Sequence, residues 1–266
     1  MSESVEKKYP PVLYSCYTEK SREGESFVPY HVFTHVISGT LRFRLGNEII
    51  NVEAGDSILL KRNQLVKGTK FPPAQGEFKS MSVFLDETAL RAFSEEYHTM
   101  AAKPYEGPSF ISLKKDPMYD SYVESLWSYL KDPSNEALTT LKVKEAILLL
   151  LQLDADTKNI LFDFNNPAKI DLEHYMNRNF TFNVDLKRFA YLTGRSLATF
   201  KRDFDKVFHT SPSRWLQQKR LQAAYQLIKE QGRRPSDVYL EVGFEDLSHF
   251  SFAFKKNFGV APSMVS

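Results

Sequence analysis

Apolar and polar positions in this chain change their spacing twice. From Tyr30 to about Leu85 they alternate, the period of two that a β-strand imposes on its side chains. His31, Phe33, His35 and Ile37 share one strand face, and Leu41, Phe43 and Leu45 alternate with Arg42 and Arg44. Turn residues at Gly39-Thr40, Gly46-Asn47 and Gly55-Asp56 separate this run from strands through Ile49 and Val52, Ser57 to Leu60, and Phe78 to Leu85. Short strands with a turn signal every 8–12 residues or so predict a small antiparallel barrel or jelly roll.

After Leu85 the period becomes helical. Glu87 to Tyr97 reads as a helix, as does Pro117 to Leu130 with Pro in its first turn. A third runs from Asn135 or Glu136 to Leu153 and bears Leu138, Leu141, Val143, Ile147, Leu148, Leu150 and Leu151, more apolar surface than one core-facing stripe requires. Asp154 to Lys169, with Pro167 after two Asn residues, reads as an interdomain linker.

The last hundred residues carry a repeated unit. Phe200, Phe204 and Phe208 recur at i, i+4 and i+8, and so do Phe250, Phe254 and Phe258, with Lys and Arg between them. That spacing lines one face of a helix with rings and leaves a basic face opposite. Each pattern follows a shorter periodic segment across a glycine, Gly194 or Gly243. Helix, Gly-bearing turn and basic-fronted helix is the helix-turn-helix arrangement, which lays its second helix in the major groove of DNA.

Composition changes this picture little and charge sharpens it. A hydrophobic share of 42% and a charged share of 26% are those of an ordinary globular protein. The densest apolar run, Ala146 to Leu151, is far too short to span a membrane, and the acidic, apolar-poor start of the chain reads as no signal peptide. One cysteine, Cys16, excludes an internal disulfide and fits a reducing compartment, so the expected location is the cytoplasm. The net charge of +2 hides an asymmetry: residues 169–266 hold 16 Lys and Arg against 10 Asp and Glu, leaving 19 against 23 elsewhere. The basic excess lies where the helix-turn-helix patterns lie.

Two resemblances follow from these residues. Phe33 to Leu60, with its order of strand, Ser-Gly, strand, Gly-Asn, strand, Ala-Gly-Asp and strand, looks like the cupin-like domain found at the N-terminus of AraC-type regulators. From Ile170 onward the chain resembles the double helix-turn-helix domain of the AraC/XylS family. The matching positions are Leu186, Phe189, Ala190 and Gly194; Phe200, Phe204 and Phe208; Ser211-Pro212 with Trp215, Arg220, Ala223 and Leu227; and Val238, Gly243-Phe244, Phe250, Phe254-Lys255, Phe258-Gly259 and Ala261-Pro262. Three features depart from the family pattern. His209 stands where Gly is usual, Tyr239 where a small residue is expected, and the basic tail that often follows the final Pro is missing.

The resemblance implies an organisation: a cupin-like sensing and dimerisation domain over 1–153, a linker over 154–168 and an all-α DNA-binding domain over 169–266. It also implies site residues. By position in the motif, Ser196, Ala198, Lys201 and Arg202 face bases in the first unit, Arg202 foremost because Arg pairs with guanine O6 and N7. In the second unit these places fall to Leu247, Ser248, His249, Ser251 and Phe252, where an apolar ring suits a thymine methyl or simple packing. Lys255, Lys256, Arg233 and Arg234 read as phosphate contacts, which position without specifying. The two recognition helices are expected in successive major-groove turns, about 34 Å apart. The third helix is implied to dimerise through Leu141, Ile147, Leu148 and Leu151, plain burial against the barrel being the alternative.

For the barrel two readings stand. In one it binds a small-molecule effector between Tyr30, His31, Phe33, His35 and Phe43; in the other it is a protein-interaction module holding no ligand, controlled by an anti-activator. A partly polar cavity favours the first, and a barrel plugged by its own Phe and Leu side chains the second. A third reading, a metal-dependent cupin enzyme, lacks its ligands: His31 and His35 share a face, but no third His falls in the later strands, and a catalytic metal generally takes three. No catalytic residue, metal or cofactor is assigned. The expected protein is a homodimeric DNA-binding transcription regulator, an activator that recruits RNA polymerase at a promoter or operator, with no membrane association.

Overall fold

A computed structural model describes residues 9–22, 26–46, 48–130, 135–153 and 157–265, which fall into two compact units meeting at Asn165 and Asn166. The expectations about the first eight residues, the turn at Asn47 and the start of the linker at Asp154 concern residues outside those described.

The first unit holds two antiparallel sheets. Its strands are β1 (Val12–Tyr17), β2 (Ser21–Arg22), β3 (Ser26–Val28), β4 (His31–Ser38), β5 (Thr40–Leu45), β6 (Glu48–Glu53), β7 (Ser57–Leu60), β8 (Gln64–Phe71), β9 (Phe78–Leu85) and β10 (Phe110–Leu113). One sheet runs β1-β9-β4-β7-β10 and the other β2-β8-β5-β6, with β3 also paired to β8. The predicted barrel is therefore present, with β1, β2, β3, β8 and β10 added to the strands expected.

Four helices accompany these strands: α1 (Glu87–Glu96), α2 (Pro117–Leu130), α3 (Glu136–Leu153) and α4 (Thr157–Leu161). They cover the outer face of the first sheet, where Phe33, Leu59, Met81, Val83 and Leu85 pack with Phe93, Tyr122, Leu126, Ile147 and Leu150. The inner face meets the second sheet through Val36, Ile58 and Phe78 against Leu41 and Val52. Covered on both sides, β4 is buried for its first six residues, His31 to Val36, as a central strand between two apolar layers must be.

The linker expectation needs correction. Residues 157–161 form α4, and Ile160, Leu161 and Phe162 are buried in the core of the first unit. Arg62 ties the next stretch down, donating from Nη2 to the carbonyls of Asp163 and Asn165 at 2.8 and 2.9 Å. Asn and Pro marked a chain break correctly, but the apolar Ile160-Leu161-Phe162 ahead of them belongs to the core.

The second unit is all helix: α5 (Leu172–Asn179), α6 (Leu186–Leu192), α7 (Leu197–Phe208), α8 (Pro212–Gln231), α9 (Pro235–Glu241) and α10 (Leu247–Phe258), then a 3-10 turn over Pro262–Met264. The capping residues are in the sequence. The side chains of Asp185, Ser196 and Asp246 accept from the backbone N–H three residues on, and Pro opens α8 and α9.

Candidate DNA interface and barrel cavity

The aromatic repeat builds the same device twice. Phe200, Phe204, Phe250 and Phe254 are all fully buried. On α7 the rings run Phe204 to Phe208 at 4.3 Å and on to Trp215 of α8 at 4.6 Å; on α10 they run Phe254 to Phe258 at 4.6 Å, with Tyr225 of α8 at 4.8 Å from Phe258. Each recognition helix is thus clamped to the long α8 by rings, which fixes the face turned to solvent.

The turns before these helices require glycine. Gly194 has φ +65, and a Cβ there would strike the carbonyl of Ala168; Gly243 has φ +97, and a Cβ would lie 2.5 Å from the oxygen of Thr181. The second turn is one residue longer, since three positions separate Gly194 from Leu197 and four separate Gly243 from Leu247. Phe244 fills the added length, buried and edge-on to Phe250 at 5.2 Å. Tyr239 occupies the place equivalent to the buried Ala190, and its ring packs half-buried at the rim of the core. His209 closes α7 in the left-handed region, φ 52, whereas the equivalent cap of α10 is Gly259 at φ 78.

Arg220, which the sequence reading took only as a motif position, joins these parts. From α8 it donates Nε to the carbonyl of Phe180 at 2.8 Å, Nη1 to Gly243 at 3.0 Å and Nη2 to Phe182 at 2.8 Å. One planar fork thereby fastens the segment between α5 and α6 to the turn of the second helix-turn-helix.

Most of the expected DNA-facing residues share the solvent face of their helix. Ala198, Lys201 and Arg202 are exposed on α7, with the Arg202 side chain 67% accessible. Ser248, His249, Lys255 and Lys256 are exposed on α10, Ser251 is half-buried, and Phe252 stands 70% exposed. The choice left open for Phe252 is therefore narrowed, because its ring does not pack into the core. Two placements differ in chemistry from expectation. The Ser196 hydroxyl accepts from the N–H of Thr199 at 3.2 Å and so serves as the cap of α7. Arg233 is paired with Glu241 at 2.7 Å, which raises its pKa, whereas Arg234 is exposed. Behind the front of α7, Asp203 is held by Arg195 at 3.1 Å and Lys169 at 3.3 Å, hydrogen bonds that keep its carboxyl below the usual range.

In the barrel the expected ligand residues of β4 fall on the wrong side of their strand. A cavity of about 510 Å3 lies between the sheets, lined by Val32 and Thr34 of β4 and by Phe43; Tyr30, His31, Phe33 and His35 do not line it. Phe33 packs on Tyr119 and Tyr122 of α2. The His35 Nδ1 lies 2.9 Å from Ser57 Oγ, its Nε2 3.6 Å from Asp120 of α2, and burial lowers its pKa. His31 is wholly buried, receives the N–H of Arg62 on Nδ1 at 3.4 Å, and has its pKa pushed down to about 3 by burial. The alternation was read correctly and its parity was not, because both faces of β4 are covered and a shift by one residue exchanges them. Residues missed on the cavity wall include Ser15, Lys70, Ser80 and Ser82. Among the described residues, no group of three His, Cys, Asp or Glu side chains is placed to hold a metal ion.

On α3, Ile147 is fully buried, Leu151 packs partly against the core, and Leu141 and Leu148 are 59% and 43% exposed. Ile147 thus belongs to the interior of its own unit. Leu138, which had not been selected, is 47% exposed on the same stripe as Leu141 and Leu148. Among the described residues, no helix is long and apolar enough to cross a membrane.

Comparison with known proteins agrees with this architecture in both units. Residues 31–164, half the chain, match the ExsA N-terminal regulatory domain, and residues 189–266 match a helix-turn-helix domain. The chain is 25% identical over 239 residues to the virulence regulon transcriptional activator VirF of Yersinia enterocolitica, covering 86% of each. It is 26% identical over 211 residues to the HTH-type transcriptional regulator ExsA of Pseudomonas aeruginosa, covering 79% of this chain and 76% of that one. A crystal structure of ToxT from Vibrio cholerae aligns over 96% of this chain and 98% of its own at 12% identity, with a TM-score of 0.47. The chain belongs to the AraC family of DNA-binding transcription regulators, with an ExsA-type regulatory domain ahead of its double helix-turn-helix.

Proposed function

We propose that the protein is a cytoplasmic, homodimeric activator that reads a promoter site chiefly through α7, anchors through α10, and adjusts its occupancy to a small molecule held in the barrel. The observation that carries the DNA reading is the pair of ring-clamped helices with exposed fronts, Lys201 and Arg202 on one and Phe252, Lys255 and Lys256 on the other. Arg202 is assigned to a guanine edge, with Lys201 and Ala198 beside it. Phe252 is assigned to a thymine methyl, flanked by Ser248, His249 and Ser251. Lys255, Lys256 and Arg234 are assigned to phosphates. Activation is carried over from the relative named as a transcriptional activator, and recruitment of RNA polymerase is the route that the family resemblance implies for it. Leu138, Leu141 and Leu148 of α3 supply an exposed apolar stripe for a second copy.

The partly polar cavity favours the effector reading of the barrel over a plugged interaction module. Binding to a mapped operator at several salt concentrations tests the DNA assignment. Arg202→Ala is expected to cost roughly 1–3 kcal/mol and relax preference at one base pair. Lys255→Ala is expected to weaken all sequences alike and to shallow the salt slope by about one unit. Uniform loss from both variants sinks the assignment of Arg202 to base reading.

A further inference from the structure

Arg202 does not stand alone on the front of α7. Its Nε lies 3.8 Å from Oδ1 of Asp203, the next residue along the helix. Successive helix positions point about 100° apart, so this approach requires the Arg202 chain to lean toward the Asp203 side rather than straight into solvent. The carboxylate it leans on is itself fixed. Asp203 Oδ2 accepts from Arg195 Nε at 3.1 Å and pairs with Lys169 Nζ at 3.3 Å, which leaves Oδ1 for Arg202.

Arg195 anchors this set. Only 7% of its side chain is accessible, and its Nη1 donates to the carbonyl of Ile170 at 3.0 Å and to that of Thr193 at 2.6 Å. Those carbonyls belong to the segment ahead of α5 and to the end of α6, and the same segment lies against Gly194, where a Cβ would strike Ala168. The Asp203 side chain is thus held at 18% accessibility by groups tied to the backbone, whereas that of Arg202 is 67% accessible. One member of the pair is fixed, and the other is open to DNA.

An exposed ion pair adds little to stability, so the consequence of this one lies in direction and charge. A guanidinium carries donors on two edges. With Nε turned to a carboxylate, Nη1 and Nη2 remain as an end-on fork, the shape that fits guanine O6 and N7. An Arg held in this way has already given up rotamer freedom that an unheld one would lose on binding. The duplex then excludes water from the pair and strengthens it. The carboxylate also repels phosphate, which keeps Arg202 from engaging the backbone, where a contact carries no sequence information.

We propose that Asp203 is a positioning residue for DNA recognition: seated on Arg195 and Lys169, it holds Arg202 by Nε so that the Nη fork faces a guanine edge. The inference rests on the assignment of Arg202 to base reading and adds the residue that makes that reading selective.

The test compares full-length wild type, Asp203→Asn, Arg202→Ala and the double variant on a mapped operator, on that operator with the base pair read by Arg202 replaced, and on unrelated duplex. Asparagine keeps an acceptor for Arg195 and removes the charge. Asp203→Asn is expected to lower the preference for guanine at that pair about threefold to fivefold while holding unrelated duplex more tightly, a combination that loss of fold cannot produce. In the Arg202→Ala background the same substitution should leave the remaining preference at that pair unchanged. If Asp203→Asn weakens operator and unrelated duplex alike, or leaves the guanine preference intact while Arg202→Ala relaxes it, the positioning role is overturned, and the base reading is decided separately by Arg202→Ala. If Arg202→Ala leaves the preference intact at every pair, both fall. A measurement on the wild type decides the matter even where Asp203→Asn does not fold. The nuclear magnetic resonance order parameter of the Arg202 Nε–H in the free protein should exceed that of the exposed Arg234, and equal mobility overturns the hold of Asp203 on Arg202.

Discussion

Arg220 shows how much of the DNA-binding unit hangs on one side chain. Its three donors meet the carbonyls of Phe180, Phe182 and Gly243, which come from two different turns. Removing the fork leaves all three carbonyls without it, and each hydrogen bond from a charged group contributes about 1.5–3 kcal/mol with incomplete additivity. Arg220→Met is therefore expected to lower the stability of the second unit by roughly 2–4 kcal/mol, read as a fall in its thermal midpoint. Arg220→Lys should recover little, because a point ammonium cannot serve three carbonyls held in a fan. Full recovery by Lys would refute the fork. His31 makes a different kind of demand on the first unit. Its folded pKa lies near 3 against an ordinary 6.5, so between those values the unfolded chain binds a proton that the folded chain does not. Stability is then unaffected above about pH 6.5 and is lost as pH falls below it, by up to about 1.4 kcal/mol per pH unit. Denaturant melts between pH 7 and 5 should show this slope, and His31→Gln should flatten it to the share left by His35, whose pKa is lowered in the same direction.

At the level of elements, α3 serves two surfaces with one run of leucines. Val143, Ala146, Ile147 and Leu150 are buried against the barrel, while Leu138, Leu141 and Leu148 stand exposed. Charged substitutions should separate the two. The pair Leu141→Glu and Leu148→Glu is expected to give a folded monomer in sedimentation velocity, with DNA affinity lost through dimerisation alone. Ile147→Glu is expected to unfold the first unit instead, because it buries an unpaired charge. A dimer that survives the double substitution removes α3 from the interface. The same helix explains why the sequence was legible in some places and not in others. Phe at i, i+4 and i+8 with a cap ahead and a glycine turn before it admits one helix orientation, so α7 and α10 and their solvent faces were readable. In α3 apolar residues occupy both the buried and the open face, and in β4 both faces are covered, so no period tells which side meets which layer. That is why Ile147 was placed in the dimerisation set and His31, Phe33 and His35 in the ligand set. Lys70 was missed for a related reason: a lysine in an alternating strand reads as the solvent side until the opposite sheet is in place.

For the molecule as a whole, the division at Asn165 and Asn166 predicts what each part does alone. The second unit carries its own closed core, with Phe200, Phe204, Phe250, Phe254, Met176 and Phe182 all fully buried within it. It also carries the Arg220 tie, the Gly194 and Gly243 turns, and the basic excess of the chain. A fragment spanning residues 166–266 should therefore melt cooperatively and bind operator DNA without the barrel. Its proposed contacts to phosphate are those of Lys255, Lys256 and Arg234, all within the fragment, so its salt dependence per bound copy should equal that of the full chain. What it should lose is cooperation between adjacent sites, since the proposed dimer stripe on α3 lies in the first unit, and with it any response to an effector held in the barrel. Shift assays on one-site and two-site operators separate these terms. Equal one-site affinity with loss of two-site cooperativity is the expected result, whereas a fragment that fails to bind a single site would show that the helix-turn-helix pair is not sufficient for recognition.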